Sequence, residues 1–140
     1  MTFGRVALLA GVALLVLVAN VAASIVYMVV YSYVIDPGHP PQYYDDHIQV
    51  AGPYCSIVAG MPLMFLAGWW VTGWWRRALG VRPAWIVWLA YAVIDLAILL
   101  AVGMSNRVGL LFGVSAATKL AAAQFGARRR MARPAQAQAE

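Results

Sequence analysis

Charge is what this chain has least of. Asp, Glu, Lys and Arg make up 11% of its 140 residues, and five residues in all are acidic, where a soluble domain carries roughly 25% charge. Beside 64% hydrophobic residues, so few charges leave a soluble protein of this size no way to hide its apolar surface. Cysteine is nearly absent as well. Cys55 stands alone, which excludes an intramolecular disulfide and any thiol relay built on a cysteine pair. A small buried helix residue is the expectation for it. RNA-binding motifs and a basic-aromatic soluble face are also missing, so no nucleic-acid partner is expected.

What is present is a series of apolar runs with basic residues at their ends. Seven of the ten basic residues (Arg76, Arg77, Arg82, Arg128, Arg129, Arg130, Arg133) lie in two short segments beside such runs. That bias orients helices in a bilayer. Val6 to Val34 carries no charge, and as a helix it would span about 43 Å against an apolar thickness near 30 Å. It must tilt, or carry its Tyr27, Tyr31 and Tyr33 end into the headgroups. A charged start and small residues near Ala22–Ser24 also suit a secretory signal. The run is about twice the usual 7–15 residues of a signal core, so a retained helix is expected.

Asp36-Pro37-Gly38 stops the first helix, with Pro-Gly suited to the centre of a type II turn. From Pro41 a short helix is expected, carrying Tyr44, Ile48 and Ala51 on one face and lying on the membrane surface. Gly52-Pro53 is expected to break it. The sequence therefore predicts an all-α integral membrane protein, a four-transmembrane-helix bundle with a short interfacial helix in the first outer loop. The helices fall at about 6–34, 53–75, 84–104 and 108–126 within one membrane domain, residues 1–127. A bend is expected near Pro62, and residues 128–140 form a basic cytoplasmic tail of disordered composition. With Arg5, the Arg76–Arg82 loop and the tail on one side and Arg107 alone opposite, both termini are placed in the cytoplasm of a bacterial cell, across its inner membrane.

Polar residues inside the apolar runs are the candidate functional residues, because an ionisable group in a bilayer is expensive to keep. Counting from the Ser105-Asn106 turn, Asp95 lies about 16 Å down the third helix and Lys119 about 20 Å down the fourth. The long Lys119 side chain is therefore expected to pair with Asp95. Each charge would cost roughly 2.5–3.5 kcal/mol unpaired at a helix centre. Trp88 and Tyr91 share the face of Asp95 and are expected as its hydrogen-bond neighbours. Asn20 is the strongly polar residue of the first helix, expected to bond across to another. Gly52, Ser56 and Gly60, and again Gly109, Gly113 and Ala117, form small-residue stripes that admit a neighbouring helix backbone.

The first outer loop, Ile35 to Gln49, holds three of the five acidic residues and both histidines without a Lys or Arg. Asp36, His39, Asp45, Asp46 and His47 carry atoms suited to a divalent metal, but the H-x7-H spacing of His39 and His47 matches no established metal motif, and neither metal nor cofactor is expected. Both histidines stand outside the apolar zone, which argues against haem. Trp69 and Trp70, with Met61 and Met64 nearby, could frame a pocket for a lipid or quinone. Arg128, Arg129, Arg130 and Arg133 suit anionic lipid headgroups at about 1 kcal/mol each. The expected function is that of a non-catalytic subunit or interaction protein, packing its small-residue stripes on other membrane subunits or on a second copy. The alternative is a small transporter or lipophilic-ligand protein using Asp95 and Lys119 at midplane. A membrane enzyme or metal site in the outer Asp/His loop comes third, for want of a nucleophile.

Overall fold

A computed structural model describes residues 2–102 and 106–132. Among them there is no strand, and four helices are long and apolar enough to cross a membrane. Helix α1 covers Phe3–Val30 and runs into one π-helical turn, Tyr31–Ile35. Helix α2 covers Pro41–Trp74, α3 is a single turn at Arg76–Leu79, α4 covers Arg82–Val102 and α5 covers Asn106–Ala132. The chain bends at Asp36 and Gly38, where the turn was expected. Gly38 takes φ +93°, the left-handed geometry that the third residue of a type II turn needs and that glycine adopts freely.

Two helix boundaries differ from those read off the sequence. The separate surface helix does not exist. Helix α2 starts at Pro41, as a proline at the first helical position allows, and continues unbroken through Gly52, Pro53 and Pro62 to Trp74. A proline deletes one backbone hydrogen bond, and the carbonyl freed by Pro53 belongs to exposed Gln49, where it loses little. At 34 residues, α2 is about 51 Å long. The stretch expected to lie on the membrane is its overhang beyond a hydrocarbon core of roughly 30 Å. At the other end, α5 passes Gly126 and carries Arg128, Arg129 and Arg130 in helix to Ala132, where a disordered tail was expected from residue 128. Cations in a last helical turn face the negative end of the helix dipole, and the guanidinium of Arg129 lies 5.1 Å from the Phe125 ring centroid. Met104, Ser105 and Arg133 with the rest of the tail lie outside the described residues.

The core follows helical periodicity. Leu9, Val12, Ala13, Val16 and Leu17 of α1 are buried with Met64, Ala67 and Val71 of α2, Val87 and Tyr91 of α4, and Ala123 of α5. Helices α1 and α5 flank the α2/α4 pair, and α2 packs most extensively on α5. Glycine makes that contact close. A Cβ at Gly68 would fall 3.0 Å from Ala123 Cα, and one at Gly126 would run into the Phe65 carbonyl. This is backbone-on-backbone packing, the usual way membrane helices gain van der Waals contact.

The two ends of the bundle differ in chemistry. At one, the Arg5 guanidinium lies 5.5 Å from the Trp75 ring centroid and Arg130 lies 4.4 Å from that of Trp69. At the other are Asp36, His39, His47 and the tyrosines around them. These are called the basic and acidic ends below.

Candidate functional site

Each of the four long helices sends one polar side chain to a common point inside the bundle: Asn20 from α1, Ser56 from α2, Tyr91 from α4 and Lys119 from α5. Lys119 is 1% exposed, and its Nζ donates to Ser56 Oγ and Tyr91 Oη, both at 2.9 Å. Asn20 Nδ2 donates to the same two oxygens, at 2.9 and 3.0 Å. A hydroxyl oxygen has two lone pairs, so both acceptors are filled. The Ser56 and Tyr91 hydroxyl protons therefore point away from these donors, and Asn20 Oδ1 is buried with no partner.

The stem of Lys119 reaches this point across α2. A Cβ on Gly60 would sit 3.3 Å from Lys119 Cδ and collide with its Cε. The stripe of Gly52, Ser56 and Gly60 thus has a different use from the one expected. At Ser56 and Gly60 it receives a side chain, where a neighbouring backbone was foreseen, and Gly52 meets its own helix at Ile48.

The structure brings together Asn20, Tyr91 and Lys119, but not Asp95. Among the described residues, His39–Asp36 is the one ion pair within 4.0 Å, so the salt bridge expected between Asp95 and Lys119 does not form. Tyr91 turns to the node, and Trp88 Nε1 donates to the Ala116 carbonyl at 2.9 Å, so neither serves the Asp95 carboxylate. Asp95 instead lines a cavity of about 180 Å³ with Ser56, Ser115 and a wall that includes Pro53, Leu99, Leu111 and Phe112. Ser115 Oγ is buried there without a hydrogen-bond partner. Ser56 therefore belongs to both the node and this cavity.

Ser56 and Ser115 were not among the polar candidates read from the sequence. For Ser56 the signal was depth: Asn20 stands fifteen residues before Ile35, and Ser56 fifteen after Pro41. The same count fits Tyr91 and Lys119, each fourteen residues from Ser105, better than Asp95 at ten.

At the acidic end, Asp36 is a hub. Tyr43 Oη donates to its Oδ2 at 2.7 Å and Tyr31 Oη at 3.3 Å, while His39 Nε2 lies 3.0 Å from its Oδ1. Tyr44 Oη donates to the Asp36 carbonyl at 2.9 Å and accepts from the His39 backbone N–H at 3.2 Å. The bond from Tyr43, then that from His39, holds the Asp36 carboxyl below its ordinary pKa. His47 is engaged elsewhere, stacked on Tyr31 at 3.9 Å with its Nε2 2.9 Å from Tyr27 Oη. The two histidines thus serve separate aromatic stacks. Asp45 and Asp46 are exposed, and among the described residues no three His, Cys, Asp or Glu side chains converge as a metal site would require.

The expected aromatic pocket is an apolar groove of about 300 Å³ between α1 and α2, with Trp69 and Trp70 on one wall. Met61 and Met64 are not part of it. The chain matches no protein-family model, no curated protein and no solved structure.

Proposed function

We propose that this protein is a non-catalytic component of a bacterial inner membrane, a four-helix bundle that works by lateral association with a second copy of itself. The polar node carries this reading. It draws one side chain from every long helix into a single hydrogen-bonded cluster that joins them. Lys119 spends two of its three N–H donors on neighbouring helices, an arrangement suited to fixing helix register. Association then falls to the outer faces. On α5 the face of Gly113, Ala117 and Ala121 is exposed, and a Cβ at Gly113 would meet nothing within 4 Å. Copies sharing one topology in a membrane pair about a two-fold axis, beside which alone a residue meets its own equivalent, and small residues on that axis let the backbones approach.

Single-molecule photobleaching in nanodiscs tests this. Wild type is expected to bleach in two steps and Gly113→Leu in one, with unchanged tryptophan fluorescence. A monomeric wild type overturns the reading. Both termini are proposed to lie in the cytoplasm, supported by the gathering of Arg5, Arg129 and Arg130 at the basic end beside Trp69 and Trp75. Phosphatase fusions at the two termini and at Gly38 test the orientation, with activity expected at Gly38 alone.

One observation favours a second reading, a small solute-binding or transport protein. The Asp95 cavity contains a carboxylate and an unpartnered buried hydroxyl, and few intramembrane groups are left in that condition without a ligand or water. In that reading the flux of a small polar solute fails in Asp95→Asn.

A further inference from the structure

A groove of about 700 Å³ opens at the acidic end between α1 and the start of α2, within the range of volumes that hold small molecules. Its chemistry changes along its length. Val21, Ile25, Met28 and Val29 supply an apolar floor along α1, and His39 and Asp45 stand at the lip. From Val21 to Val29 the floor runs about 12 Å at helical rise. An apolar channel that ends at charged and aromatic groups follows the polarity of a lipid, acyl chain inward and headgroup at the rim.

The charge of the rim selects the headgroup. The loop Ile35–Gln49 contains three Asp and neither Lys nor Arg, so the cations that recognise anionic headgroups are missing there. Asp36 is occupied by Tyr43, Tyr31 and His39. Asp45 is not: it is exposed and lines the groove, with no hydrogen bond or ion pair to any described residue. We infer that this groove holds one phospholipid whose headgroup carries a primary amine, with the ammonium on Asp45 and an acyl chain along Val21–Val29. The inference stands apart from the self-association proposed above, which concerns the opposite flank of the bundle.

Native mass spectrometry tests it on the full chain, exchanged into equal amounts of phosphatidylethanolamine and phosphatidylglycerol with identical acyl chains. Wild type should retain one phosphatidylethanolamine in about tenfold preference, the worth of one charge-assisted hydrogen bond. Asp45→Asn should lose that preference. Asp46→Asn removes the same charge from an exposed residue outside the groove and should keep it. A short-chain phosphatidylethanolamine should displace the bound lipid, and soluble ethanolamine should not. Equal retention of both lipids, equal loss in the two Asp variants, or displacement by ethanolamine would each overturn the inference.

Discussion

Ser56 is the joint of the polar node, and replacing it asks whether the node holds the bundle together. Ser56→Ala deletes one oxygen from a helix without adding bulk or strain. It removes one of two acceptors from Lys119 Nζ and from Asn20 Nδ2, each 2.9 Å from the lost oxygen and each still bonded to Tyr91 Oη. In a water-soluble protein the charged bond would be worth about 1.5–3 kcal/mol and the neutral one about 0.5–1.5 kcal/mol. Membrane measurements run lower, averaging about 0.6 kcal/mol per interhelical bond, because the separated helices find other partners. Lys119 has such an alternative, since a long lysine can reach for the headgroups once released. Between these bounds the expected loss is about 2 kcal/mol, read from reversible SDS unfolding in mixed micelles, with the six tryptophans as reporter. Thr118→Ala is the control. Its hydroxyl bonds to carbonyls of its own helix, Val114 and Ser115, and its loss should stay within about 0.5 kcal/mol.

The double-mutant cycle with Lys119→Met is the sharper test. A direct bond requires a coupling of about 1 kcal/mol or more between Ser56 and Lys119, against the roughly 0.3–0.5 kcal/mol within which independent sites add. The cycle of Asp95→Asn with Lys119→Met should give a smaller coupling, because no ion pair joins them within 4.0 Å. Additivity of Ser56 with Lys119, or a larger coupling of Asp95 with Lys119, would refute the node and restore the salt bridge in its place.

Three further outcomes follow from the packing and the loop. Gly68→Ala and Gly126→Ala each place a Cβ in the backbone of the facing helix and should cost about 1–3 kcal/mol by overpacking in the same unfolding assay. Gly113→Ala, facing open space within one copy, should instead gain up to about 1 kcal/mol of helix propensity in micelles dilute enough to keep the chain monomeric. Because the folded carboxyl of Asp36 titrates below its ordinary value, its contribution to loop order is whole above about pH 4 and is lost as pH falls through the depressed pKa. The His39 ring signals in NMR should follow that loss, and Asp36→Asn should abolish the dependence. Asp95→Cys, in a Cys55→Ser background, should react with a water-soluble thiol reagent if its cavity admits water, and resistance would argue against the transport reading.

The membrane fold was legible because its physics is one-dimensional. Apolar runs long enough to span a bilayer, punctuated by Pro37-Gly38 and by basic clusters, leave little other choice. Boundaries were read less well where a rule of local geometry met a helix under no pressure to stop. Pro53 and Gly52 are poor helix formers, yet each disturbs one turn of a long helix. The candidate site was read by charge, which pointed to Asp95 as the partner of Lys119. Depth along antiparallel helices was the better guide, since Tyr91 lies level with Lys119 and Ser56 level with Asn20. Which way Asp95 faces is fixed by rotation of α4 about its axis, and a residue count along the helix carries no such information.

The notch that Gly60 leaves for Lys119 bears on how the chain is built in the cell. Of the four spanning helices α5 is the least apolar, and a central lysine adds roughly 2.5–3.5 kcal/mol to its insertion. Its acceptors, Ser56 and Tyr91, lie on α2 and α4, which leave the ribosome earlier. Helix α5 emerges last, so synthesis order delivers the cation after the groups that receive it. A chain cut short before α5 would leave the place of Lys119 empty, with Ser56 Oγ and Tyr91 Oη each keeping Asn20 Nδ2 as donor and each lacking the lysine.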